Sequence, residues 1–77
     1  MSTVIEEKYI SRKLMTLLDE LGEECSHIKD LIAQLKVPHL ASGQIEDILS
    51  ELNAAVVHLN THTNGLDKLI SDEMDAL

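Results

Sequence analysis

The chain has no Phe, no Trp and a single Tyr, Tyr9. Any core must therefore be aliphatic, which suits helical bundles and coiled coils. The same shortage excludes the aromatic stacking platforms used to bind single-stranded nucleic acid. One cysteine, Cys25, excludes a disulfide within the chain. A lone thiol fits a reducing compartment, and we expect a cytoplasmic protein. Basic residues are scarce and unevenly placed. Residues 1–38 carry seven acids and five bases, net −2, and residues 39–77 carry seven acids and one base, net −6. Phosphate backbones and anionic lipid surfaces are repelled by such a chain. Neither nucleic acid nor membrane is expected as a partner. No stretch reaches the roughly 18 apolar residues of a membrane span, and Glu6 and Glu7 stand where a signal peptide needs bases.

Chemistry-bearing motifs are also missing. There is no Gly-rich phosphate loop, nucleophile elbow or paired zinc cysteines. We expect no enzyme and no cofactor.

Apolar residues at helical spacing dominate what is present. In the first half they fall at Ile10, Leu14, Leu17, Leu21, Cys25, Ile28, Ile32 and Leu35. Steps of three and four keep them on one helix face. Cys25 lies on this stripe and reads as a small buried hydrophobe. Thr3 and Glu6 form a T-x-x-E capping box, so helix 1 is expected over about 3–36. Gly22 interrupts it, but the apolar register runs straight through and the helix should too. The only proline, Pro38, ends it.

Residues 37–43 read as a turn, after which helix 2 is expected over about 44–76, capped by Ser42 or Gly43. Its face is Ile45, Leu49, Leu52, Val56, Leu59, Thr63, Leu66 and Ile70, a heptad seam with Ile48, Ala55 and Leu69 beside it. Thr63 would be a polar residue in the core. The stretch Asn60–Gly65 is poor in helix formers and holds an Asn-Gly turn signal. We read the helix as continuous there. The alternative is a break near 61–65, with Asn64 capping a short third helix.

The pattern predicts an all-α fold of one domain, an antiparallel helical hairpin dimerising into a four-helix bundle. A chain of 77 residues is marginal as a monomer, and two helices cannot cover their own stripes. The expected interface residues are Leu14, Leu17, Leu21, Ile28, Ile32, Leu49, Leu52, Val56, Leu59, Leu66 and Ile70. The function expected is a non-enzymatic protein–protein interaction module: a small regulator, adaptor or co-chaperone with an apolar face and acidic rims. Its expected partner is a second copy, with a basic or amphipathic-helix protein as the other option.

Metal binding is the alternative. Glu24 and His27 form an E-x-x-H, which in di-iron bundles joins a Glu from another helix, here Glu51. Glu24 sits at best on the edge of the stripe. His58 and His62 are spaced i, i+4, a chelating spacing on a helix. Folding the chain at Pro38–Ser42 pairs positions whose numbers total about 80. That brings His58 near Gly22, Glu23 and Glu24. Most such residues are plain solvated surface, so no metal is assigned from sequence. A phosphorelay-like domain using His27 is a weaker third option, since the residues after His27 match that pattern poorly.

Overall fold

The computed structural model describes residues 10–77. Among them are three helices: α1 over Arg12–Leu35, α2 over Ser42–Thr63 and α3 over Leu66–Asp75. They make an antiparallel hairpin, with α1 as one arm and α2 with α3 as a bent second arm. No described helix is long and apolar enough to cross a membrane.

Helix α1 starts later than the sequence pattern suggested. Ile10 and Ser11 are not helical, and Ser11 is the cap: its Oγ accepts from the Leu14 N–H at 3.2 Å. The Thr3–Glu6 capping box lies outside the described residues. Gly22 is passed without interruption. At the far end the Lys36 N–H donates to the Ala33 carbonyl and the Val37 N–H to the Gln34 carbonyl, tightening the last turn before Pro38. His39 then takes φ 64°, a left-handed conformation unusual for a residue with a Cβ.

Helix α2 is capped by Ala41 rather than Ser42 or Gly43. Alanine offers no capping oxygen, but the Gln44 side chain reaches back to accept the Ala41 N–H at 2.8 Å. The helix ends at Thr63, so the expected continuity through Asn60–Gly65 does not hold. Thr61 and Thr63 both donate their hydroxyls to carbonyls four residues back, at Val57 and Leu59. Such bonds bend and weaken a helix. Asn64 leaves the helical region and Gly65 adopts φ 80°. Gly65, not Asn64, then caps α3. The Ser11 N–H donates to Glu73 Oε1 at 3.3 Å, tying α3 back to the start of α1.

The described chain measures 67 × 28 × 14 Å. Its least dimension is close to the roughly 10–12 Å diameter of one helix, so the hairpin is a single-layer ribbon. Only Leu14, Leu31 and Leu66 are buried in it. The inner seam of the second arm is Ile48, Leu52, Ala55, Leu59, His62, Leu66, Leu69 and Glu73, all buried or half-buried. It faces Leu14, Leu17, Leu18, Leu21, Glu24, Ile28, Leu31 and Leu35.

This seam is not the one the apolar spacing picked out. Ile45, Leu49, Val56, Thr63 and Ile70 are exposed. At about 100° per residue they lie roughly a quarter turn from the inner seam. Thr63 is therefore not a core residue. Cys25 and Ile32 are displaced in the same sense on α1, and Cys25 is exposed within the single hairpin rather than buried between its arms. Because the helices run antiparallel, equal rotation puts both sets on the same broad face of the ribbon. Of the expected interface residues, Leu14 and Leu66 are buried. Leu17, Leu21, Ile28, Leu52 and Leu59 are half-buried on the sides of α1 and α2 that meet. Ile32, Leu49, Val56 and Ile70 lie open on the broad face.

Candidate functional site

A cluster of acids and histidines lies along the other edge of the inner seam, away from the apolar set. Two i, i+4 pairs meet across it: Glu20 and Glu24 on α1, His58 and His62 on α2. The antiparallel register that pairs numbers totalling about 80 places them at one level. His58 Nε2 lies 2.6 Å from Glu24 Oε1. His62 Nδ1 lies 3.8 Å from Glu24 Oε1 and 3.8 Å from Glu20 Oε2. The ligand atoms of Glu24, His58 and His62 fall within 4.8 Å of one another.

Glu24 and His62 both occupy the inner seam, where the heptad period otherwise asks for apolar residues. Glu24 is thus not on the stripe's edge, as its sequence position suggested. Its side chain is 18% exposed and that of His62 10%. The ring of His62 is fixed from behind: Nε2 lies 3.0 Å from the Leu17 carbonyl oxygen. A carbonyl only accepts, so Nε2 carries the proton. On a neutral ring, Nδ1 then presents a lone pair toward the two carboxylates. Glu24 Oε2 is buried and has no hydrogen-bond partner among the described residues.

His27 and Glu51 form a separate, open pair at 3.5 Å, each about half exposed. The E-x-x-H reading therefore divides. Glu24 joins His58 and His62, whereas His27 takes Glu51 and stays outside the three-residue cluster. Between the two clusters runs a shallow groove of about 450 Å³, edged by Glu20, Glu23, Glu24, His27, Glu51 and His58. Ala54 and Ala55 line it, and their small side chains leave it unfilled.

Two contributors were not singled out from sequence. Glu20 carried a signal, its i, i+4 spacing from Glu24 together with the pairing register. The Leu17 carbonyl carried none, because a backbone oxygen leaves no trace in residue types. No family model matches the chain, and neither does any curated protein or solved structure.

Proposed function

We propose that the chain is a non-enzymatic interaction module whose broad apolar face is covered by a second copy, giving a four-helix bundle. The observation that carries this reading is the open apolar set on one side of a ribbon one helix thick. Leu49 is 49% exposed and Val56 48%, with Ile32, Ile45 and Ile70 beside them. Complete burial of such a side chain is worth about 1.5–3 kcal/mol. A small domain with so little core gains its stability by association.

Charge favours one arrangement of the copies. The second arm carries seven acids against Lys68, while α1 with Lys36 carries Arg12, Lys13, Lys29 and Lys36 against five acids. Stacking α1 of one copy over α2 of the other separates the two acidic arms and sets Lys29 and Lys36 near them. The free thiol of Cys25 favours a reducing, cytoplasmic setting. A bundle of this kind would act as a small regulator, adaptor or co-chaperone through its acidic outer surfaces.

Light scattering on a sizing column, over a range of chain concentrations, tests the proposal. The expected mass is twice that of the 8.6 kDa chain, falling to the monomer for Val56→Asp. A folded monomer at every concentration would overturn self-association and would point to a different protein covering the face.

A further inference from the structure

We propose that Glu24, His58 and His62 form a binding site for a divalent transition-metal ion of the zinc class, with Glu20 or water as a fourth ligand. The donor set is two imidazole nitrogens and one or two carboxylate oxygens, which favours zinc-like ions over magnesium or calcium.

Three observations converge on this. First, the donor atoms of the three residues already lie within 4.8 Å of one another. Bonds of about 2.0–2.2 Å to nitrogen and oxygen put tetrahedral ligand atoms about 3.3 Å apart. The site therefore needs small adjustments: His58 Nε2 and Glu24 Oε1 separate from 2.6 Å, while His62 Nδ1 closes in from 3.8 Å. The ion replaces the proton that His58 Nε2 donates to Glu24. Second, His62 has the support expected of a metal-binding histidine. Its Nε2–H is held by the Leu17 carbonyl, which fixes the tautomer and aims Nδ1 inward. Third, the site is electron-rich without a cation. Two carboxylate oxygens face His62 Nδ1 at 3.8 Å, and the buried Glu24 Oε2 lacks a hydrogen-bond partner among the described residues. Such an oxygen is costly unless something positive or donating satisfies it.

All the ligands come from one chain, in the inner seam and at its edge away from the apolar set. The site is therefore independent of self-association.

The test is calorimetric titration of chelator-treated protein with zinc chloride, with cobalt(II) as a visible-absorption probe. The variants are Glu24→Gln, His58→Ala/His62→Ala and the control His27→Ala, with helicity followed for each by circular dichroism. The expected result is one ion per chain and tetrahedral cobalt absorption. Binding should weaken about tenfold or more in Glu24→Gln and in the double variant, and stay within about twofold in His27→Ala. Long-range proton–nitrogen spectra of the zinc-loaded wild type should show His62 Nδ1 coordinated and Nε2 still protonated. This readout does not depend on any variant folding. Zinc binding no tighter than in the double variant would overturn the proposal. So would an equal loss in His27→Ala, an equal response to magnesium, or an uncoordinated His62 Nδ1. Where circular dichroism shows Val56→Asp still helical it should bind zinc as the wild type does, so loss of the dimer and loss of the site are read separately.

Discussion

Glu24 and His62 face each other across the hairpin at 3.8 Å, in an inner seam that otherwise, apart from Glu73, holds aliphatic side chains. Two polar side chains in a seam cost desolvation that a contact as long as 3.8 Å does not repay. Replacing both with leucine should therefore stabilise the metal-free chain, by about 1–4 kcal/mol on the precedent of such replacements. For a chain of this size each kcal/mol moves Tm by about 4–8 °C. Thermal melts at one fixed chain concentration check this, since association makes Tm concentration-dependent. The same variant should lose any rise in Tm on adding zinc. Lower stability without metal would mean that the pair is structural in its own right.

The helices, the turn at Pro38 and the antiparallel register are all legible in the residue pattern. The choice of inner seam is not. The second arm is apolar over a wide arc, so two adjacent seams coexist: Ile45–Leu49–Val56–Ile70 and Ile48–Leu52–Leu59–Leu66. Period alone does not rank them, and His62 and Glu73 make the true inner seam look the poorer of the two. The i, i+4 histidines and their register against Glu24 are legible too; the seam placement of Glu24 is not, because Glu24 registers as seam only once α1 is rotated to bury Leu31. The break near 61–65 is the second reading rather than the first because Leu59, Thr63, Leu66 and Ile70 keep steps of four and three across it. The pattern continues where the backbone does not.

Gly65 makes that break tolerable. At φ 80° a Cβ is strained even though nothing lies within 4 Å of where it would sit. Gly65→Ala should cost about 1–2 kcal/mol, read as a lower urea midpoint with an unchanged slope. A neutral or stabilising result would show that the second arm straightens into one helix when glycine is removed.

His39 presents the opposite case, a left-handed residue at φ 64° that is not glycine. His39→Gly relieves the Cβ penalty but loosens the unfolded chain. The balance should be stabilising by about 0.5–1 kcal/mol. His39→Val, β-branched, should destabilise by more than His39→Ala does. Paired denaturant melts of the three variants give the order Gly, His, Ala, Val from most to least stable, and a different order would place the turn's stability elsewhere.

Cys25 offers a chemical reading of the broad face without a size measurement. It is exposed in the single hairpin and lies on the side that carries Ile32, Leu49 and Val56. A second copy stacked on that side shields the thiol. Alkylation by iodoacetamide should then slow several-fold as chain concentration rises through the dimer constant. It should return to the fast, concentration-independent rate in Val56→Asp. Zinc should leave the rate unchanged, because Cys25 is not among its ligands and lies on the side of α1 away from them. Slowing by zinc alone, with no dependence on chain concentration, would instead place the thiol beside the metal and would require α1 to be turned about its axis from the position described above.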